Sequence, residues 1–573
     1  MTRTLLLPLS LLALSCNTPK ISGVPTSGRG GATGADGAPP PQPDAGFGFV
    51  PTDASTADRP PPATADLDCA GAVKARGNAG CEFYAVPLPV RDEGSGQRCF
   101  AMYVVNTGSQ PVKLSLERSG APISLAKVAR LPRGTGQRLT YGPFDEQQGL
   151  PAGDVAILFL APGHCPAGVT AALDTSPFTD MDTISPGVGQ SFHLTTDKPV
   201  VAYQIVPYGG AGSHVTSATL LLPRESWGTT HFTAVPPFVF SFVLITAADN
   251  GTEVSLRPTG DLQGFGAFPS IRKGMVGKFT LSAGQSVRLI SDFGVSDLSG
   301  SLVTSTKPVS VMGGSPCFNM PTDRTACDSA HQQLPPLEAL GTEYAGVRYR
   351  NRMPGVEESV PWHLVGAVDG TALSYLPARP AGAPETLAAG QSVIFSTTDA
   401  FVVRSQDGQH PFYMAGYMTG FSDVDKTKDG PWPGDPEFVN VVPVAQYLSS
   451  YVFFTDPTYP DTNLVVVRKR GADGNFSDVT LGCSPTPLGG WAPLGDYQYT
   501  RVDLVTGDFE PTIAGCDSGR QTITSKAPFG VTVWGWGSKQ VKIGEDWTGA
   551  TSYAYPAGSS ILRANTALPP VIK

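Results

Sequence analysis

Charge is scarce in this chain. Asp, Glu, Lys and Arg make up 16% of its 573 residues, against about 25% in an ordinary soluble domain. The formal balance is −9, so no basic surface invites a nucleic-acid backbone or an anionic lipid face. Past residue 15, no apolar run approaches the ~18 residues that a spanning helix needs. Catalytic signatures are missing too. There is no Gly-x-Ser-x-Gly elbow, no His-Glu-x-x-His, no phosphate-binding loop and no Gly-x-Gly-x-x-Gly after a strand. His164, His193, His214, His231, His331, His363 and His410 are scattered without a pair at ligand spacing, and no Cys-x-x-Cys occurs. Structural roles are expected for these histidines. These gaps leave no metal, cofactor or nucleic-acid partner to expect and point away from an enzyme. Two carboxylates for glycoside hydrolysis would meet only in the fold, so an extracellular polysaccharide hydrolase stays as an alternative.

Chain breakers are abundant instead: 66 glycines and 54 prolines, about a fifth of the chain. Such a composition disfavours helical bundles and suits short strands joined by turns. Residues 1–15 read as an export signal, with Arg3 as its charge and Leu5 to Leu14 as a short apolar stretch. They end in Ala13-Leu14-Ser15-Cys16, which resembles the bacterial lipobox. That resemblance implies that Cys16 becomes an acylated mature N-terminus, a firm membrane anchor. Asn17 follows where Asp would favour retention at the inner membrane, so an outer-membrane lipid anchor is expected, facing the surface or the periplasm. Residues 16–65 collapse into Gly, Pro, Ala and Thr, as in Pro39-Pro40-Pro41 and Arg59-Pro60-Pro61-Pro62. That stretch reads as a disordered tether.

With Cys16 assigned to lipid, Cys69, Cys81, Cys99, Cys165, Cys317, Cys327, Cys483 and Cys516 remain. An even set in an exported chain implies disulfides. Eight cysteines allow 105 pairings, so connectivity is not deducible. Locality suggests Cys69–Cys81, Cys317–Cys327 and Cys483–Cys516, leaving Cys99 to Cys165.

Three features recur at intervals of roughly 110 residues, the signature of tandem modules. A Pro-led segment carries a bulky residue, as in Leu222-Pro223 to Trp227, Pro335-Pro336 to Tyr344, and Val442-Pro443 to Tyr447. An Asn-Gly or Asp-Gly turn lies between apolar runs at Asn250-Gly251, Asp369-Gly370 and, loosely, Asp473-Gly474. Such dipeptides predict β-hairpins. Gly-Gln-Ser, beginning at Gly189, Gly284 and Gly390, opens a strand and leads to an alternating strand headed by Pro199, Pro308, Pro411 or Pro528. Proline is predicted at the first strand position, where its missing N–H lies outside the ladder. The expected fold is all-β: tandem sandwich-like modules over 66–215, 216–320, 321–430 and 431–573, with a propeller-like assembly as the alternative. Helix should stay below a tenth, its best candidate near Thr325–Gln333.

Binding candidates are few. Trp432, in Pro431-Trp432-Pro433-Gly434, is the best surface aromatic for stacking on a sugar or anchoring a protein. Tyr459 is a second, whereas Trp534 and Trp536 share one strand face and are expected in a core. The acidic run Asp423–Gly430 has alternating oxygens, but Lys426 and Lys428 oppose a calcium ion there and a solvated turn is expected.

The segment from Val311 to Pro336 runs as an apolar strand, then Cys317-Phe318-Asn319-Met320-Pro321, Cys327-Asp328, and finally Gln332-Gln333-Leu334-Pro335-Pro336. It resembles the signature of the IgGFc-binding protein N-terminal domain family, and the likeness extends over roughly 190–540. In bacteria such chains are surface or secreted proteins, many of them myxobacterial lipoproteins. The resemblance implies a binding or adhesive module without known catalysis. It does not imply antibody binding, and it transfers no binding residues. The expected function is therefore a lipid-anchored cell-surface binding protein for a protein or glycan partner. A self-associating structural envelope protein is the remaining alternative.

Overall fold

The computed structural model describes residues 67–88, 99–160, 165, 185–209, 215–238, 240–292, 297–325, 327–427, 429–544, 546–570 and 572. The export signal, Cys16, the 16–65 tether, His164, His214 and Lys428 lie outside them. From Pro60 to Lys573 the chain forms one compact unit. Its described secondary structure is antiparallel strand, with only three short α pieces and four 3-10 turns. No described helix is long and apolar enough to cross a membrane.

One local plan recurs around four strand tracks: Phe192–Val206, Leu302–Phe318, Phe401–Ser405 with Phe412–Met418, and Gly519–Trp536. In each, the first half pairs with one set of strands and the second half with another. Phe192–Thr196 pairs with Leu114–Arg118, and Val200–Ile205 pairs with Ala101–Asn106. Leu302–Ser305 pairs with Val254–Arg257, and Val309–Gly314 with Phe242–Ala247. Where the track changes partners the register slips, between Gly80 and Glu82, Gly228 and Thr230, and Leu448 and Ser450. Pro199, Pro308 and Pro528 sit at these slips, in mid-strand rather than at the first position. The physical requirement is the same, since a residue without an N–H is tolerated where the ladder is interrupted. In the third track the slip has grown into a loop, and Pro411 ends it.

The Asn-Gly and Asp-Gly turns do not close hairpins. Gly251 and Gly370 reverse the chain with φ of 66° and 73°, but Asn250 and Asp369 are not at positive φ, as a type I′ turn would require. Val360–Gly366 belongs to one four-stranded sheet and Thr371–Leu376 to another. The 369–370 turn is thus an arch between two sheets, and the strands flanking 250–251 share one sheet but pair with Leu302–Phe318 rather than with each other. This also excludes the propeller. A blade is a small meander of neighbouring strands, whereas here the two halves of one long strand pair with different strands.

Thr325–Gln333 is not helical: Asp328–Gln333 is a strand paired with Leu302–Phe318. The Cys317–Cys327 bridge (Cα–Cα 5.1 Å) turns the chain back on itself, and ladder pairing then overrides local propensity. Cys69–Cys81, Cys99–Cys165 and Cys483–Cys516 are the other bridges, so the pairs are those that sequence proximity favours.

Neighbouring repeats share their cores. One cluster joins Tyr103, Val105 and Tyr203 to Phe453, Leu464 and Tyr555. Others join Met102 and Val104 to Leu244, Ile245 and Val311 to Ala415 and Tyr417, and Trp362 and Leu364 to Val465 and Trp534. Between the first and last repeats, Tyr103 Oη donates to Asp456 at 2.5 Å and Tyr203 Oη to the Ala557 carbonyl at 2.9 Å. The proline that leads into three of the four 3-10 turns also packs on a glycine: Pro223 on Gly80, Pro336 on Gly228, Pro443 on Gly341. A Cβ at Gly228 would lie 2.4 Å from Cβ of Pro336, a rigid ring that cannot rotate away. Gly228→Ala is therefore expected to cost about 1–3 kcal/mol by overpacking. An unchanged chemical-denaturation midpoint would refute the tight junction.

Candidate functional site

The strand that ends the Cys317–Pro336 segment is built inward. Asp328, Ser329, His331, Gln332 and Gln333 are all buried. Their strand lies laterally against Ser217–Leu221 and Glu437–Asn440, and Ser552–Pro556 completes the circuit of four. No ladder joins these four strands. Side chains do the joining. His331 N–H donates to Ser217 Oγ and Gln333 N–H to Thr219 Oγ1, each at 3.0 Å. Gln332 Nε2 donates to the Ala218 carbonyl at 2.9 Å, and Asn440 Nδ2 to the Gln333 carbonyl at 2.8 Å. Each is a buried polar group satisfied by a neighbouring strand. The Asp328–Gln333 part of the segment is scaffold, whereas Thr322–Thr325, in the loop closed by the Cys317–Cys327 bridge, is exposed.

Three buried carboxyls face this polar axis. Burial first, and then the charges of Asp435 and Glu437, push Asp328 well above the ordinary carboxylate range. Burial does the same to Asp435 and Glu437. An acid raised in the folded state holds its proton more tightly than in the unfolded chain. Its stabilising contribution is thus complete below about pH 4 and is lost as pH rises toward the folded value. Glu437→Gln keeps an acceptor for Ser217 Oγ, which donates to Oε1 at 3.2 Å. We expect it to flatten the fall in stability between about pH 4 and pH 8. Urea midpoints across that range test this, and an unchanged slope would sink it. Among the described residues no three His, Cys, Asp or Glu side chains are placed to hold a metal ion.

Four of the described histidines are held inside the fold or by carboxylates. Burial lowers His231 and His331 to about 3, and His363 to about 4. His193 Nδ1 lies 2.9 Å from Glu117 and Nε2 3.1 Å from Glu82. Burial opposes its charge, but the two carboxylates outweigh burial and raise its pKa.

Trp432 is half-buried. Phe421 stacks on it at 4.9 Å, Lys539 Nζ sits 4.0 Å from its ring centre, and Trp547 meets it edge-on at 5.6 Å. Tyr459 is fully buried against Tyr553 and is not a surface aromatic. Trp534 and Trp536 are buried beside Tyr349. In the acidic run, Asp425 Oδ1 accepts from Thr427 N–H and Oγ1, and Oδ2 accepts from Trp432 N–H. Its oxygens thus close a turn.

A concave surface lies elsewhere, in the last repeat. A groove of about 530 Å³ runs along Tyr499–Asp503, walled by Ser484, Thr486–Gly490, Ala492, Thr512 and Ile513. Cys483, bridged to Cys516, directly precedes Ser484 of its wall. Trp491 Nε1 donates to the Leu488 carbonyl at 2.7 Å and Leu488 N–H donates to the Val479 carbonyl at 2.8 Å, which pins the loop wall. Asp503 accepts from Arg350 Nε at 2.7 Å and Asn463 Nδ2 at 2.9 Å. Arg501 Nε donates to the Arg348 carbonyl at 2.8 Å, and its guanidinium lies over Tyr499. Sequence reasoning missed these residues. Thr-x-x-Asp-type polar strand faces are commonplace, and the only local signal was the glycine pair Gly489-Gly490 beside a cysteine.

Comparison with known proteins fixes the relationship. The family model for IgGFc binding protein matches residues 217–535, more than half of the chain. The chain belongs to this family. The match begins at the first inner strand and ends within the last long one, so it takes in the signature segment and the groove. Human IgGFc-binding protein is 25% identical over 384 residues, which is 61% of this chain and 6% of that protein. The chain therefore corresponds to a small part of its human relative's length.

Proposed function

We propose that this chain is a lipid-anchored cell-surface binding protein. In this reading Cys16 carries the lipid, residues 16–65 hold the folded body off an outer membrane, and the body recognises a protein or glycan partner. The observation that carries the reading is the groove along Tyr499–Asp503, open to solvent and walled by a loop beside the Cys483–Cys516 bridge. A recognition surface held in place before contact loses less ordering entropy on binding. Family membership supports binding as the general role, and the relative's name says the same of that protein.

The test has two arms. Palmitate labelling should acylate the native chain and not Cys16→Ala, with Cys16→Ala released from membranes. The 60–573 unit, immobilised, should retain a saturable partner from envelope extracts or a defined glycan on an array. Failure to retain any, at high loading and after repetition, would overturn the binding reading.

A further inference from the structure

The strand Tyr497–Thr506 has one fuller edge and one interrupted edge. Along the fuller edge Tyr497–Val505 pairs with Thr462–Lys469, with one register slip at Leu504. Along the other, Ala492–Leu494 covers only Tyr497–Tyr499, and Glu510–Pro511 covers only Val505–Thr506. The Leu504 carbonyl is taken by Thr512 N–H at 3.0 Å, and Thr512 Oγ1 donates to the Asp503 carbonyl. Between these covers, no described strand pairs with Thr500–Asp503 on that side. The gap is about 13 Å long at ~3.3 Å per residue. It coincides with the groove, whose floor is this stretch.

An uncovered strand edge is a template for another strand, and proteins normally cover or charge such edges. Here the opposite wall, Thr486–Gly490, is pinned by bonds to Trp491 and Val479, and it touches the strand at one point, where Thr500 Oγ1 donates to the Gly489 carbonyl at 2.8 Å. The open part of the groove lies at the middle of the stretch, along Arg501 and Val502. Residues of this strand alternate: Thr500, Val502 and Leu504 are buried, while Tyr499, Arg501 and Asp503 are half-exposed. Of the two charged groups, Asp503 is already engaged by Arg350 and Asn463. Arg501 makes no ion pair with any described carboxylate. Burial and the neighbouring charge of Arg348 both oppose its positive form, so the groove presents a cation that gains from an anion.

We propose that the Thr500–Asp503 edge receives an extended peptide segment of a partner protein as an added strand, with an Asp or Glu of that segment set against Arg501. Main-chain hydrogen bonds would supply the affinity and the acidic residue the selectivity. This rests on the binding reading above and deepens it, choosing protein over glycan at the same groove.

The experiment uses the purified full chain in detergent. A randomised heptapeptide library is selected on it and counter-selected on Gly489→Trp. A Cβ at Gly489 meets nothing within 4 Å, so that variant places an indole at the groove without overpacking the wall. Selected peptides, resynthesised with a fluorophore, are titrated by anisotropy. We expect acidic residues in every selected family. N-methylation of alternate peptide nitrogens should weaken binding at least tenfold, the scale of one or two lost main-chain hydrogen bonds. Arg501→Gln should weaken the acidic peptide about as much and leave its Gln-substituted form unchanged. Selection of nothing over Gly489→Trp, or indifference to N-methylation, would overturn the proposal. If Gly489→Trp still retains the envelope partner or a glycan, the binding reading stands and the strand-edge inference falls. If the native chain retains neither peptide nor partner, both fall.

Discussion

Glu358→Gln should lower the free energy of unfolding by about 3–5 kcal/mol, the cost of leaving one member of a buried ion pair alone. The Arg352 and Glu358 side chains are 0% and 1% exposed. Arg352 Nη2 reaches Glu358 Oε2 at 2.8 Å and Nε reaches it at 2.9 Å, while Tyr349 Oη donates to the same oxygen at 3.0 Å. The same guanidinium donates to the Pro433 carbonyl and to Thr419 Oγ1. One carboxylate thus neutralises the charge that ties the 349–358 stretch to residues 419 and 433. The amide keeps the shape and loses the charge. Urea unfolding should show the loss, and the double variant Arg352→Met, Glu358→Leu should recover much of it, because no charge then stays buried. A single-variant loss below about 1 kcal/mol would show that the guanidinium is compensated elsewhere.

Removing the Cys99–Cys165 bridge, as Cys99→Ala with Cys165→Ser, should cost about 4 kcal/mol. The bridge spans 66 residues, and the entropy it removes from the unfolded chain grows with loop length. The Cys317–Cys327 bridge spans only 10 residues and should cost nearer ~3 kcal/mol on the same argument. The order of the two losses, read from denaturant midpoints at matched slopes, is the critical result. Equal losses, or a reversed order, would mean that native packing around Cys317 outweighs chain entropy.

What could be read from residues alone was whatever short-range chemistry controls. Breaker density and Gly-Gln-Ser openings announced strands. Cysteine proximity announced the bridges, and the shared parity of Trp534 and Trp536 announced a core face. The errors lie where a local signal has two tertiary outcomes. Gly251 and Gly370 enforce a reversal, but the reversal serves a hairpin or an arch equally well. Pro199 and Pro308 mark an interrupted ladder, which occurs at a strand's first residue or at a change of partner. Thr325–Gln333 lacks breakers and so resembles a helix until a disulfide and a seventeen-residue strand claim it. Tyr459, flanked by prolines, looks like a loop aromatic and is enclosed by Tyr553.

The candidate site was less legible than the fold. The groove is made from an absence, the missing cover over Thr500–Asp503, and a missing partner leaves no mark on the strand that lacks it. The signature around Cys317–Pro336 did mark the family, but through burial: its glutamines close four strands around a polar axis. The amino-acid sequence on its own determined the β character, the spacing of repeats and the local bridges, because turn chemistry, alternation and chain proximity act over a few residues. Only the tertiary structure decided which sheet each strand joined, which carboxyls were stripped of water and which edge stayed open, because those depend on burial between residues more than a hundred positions apart.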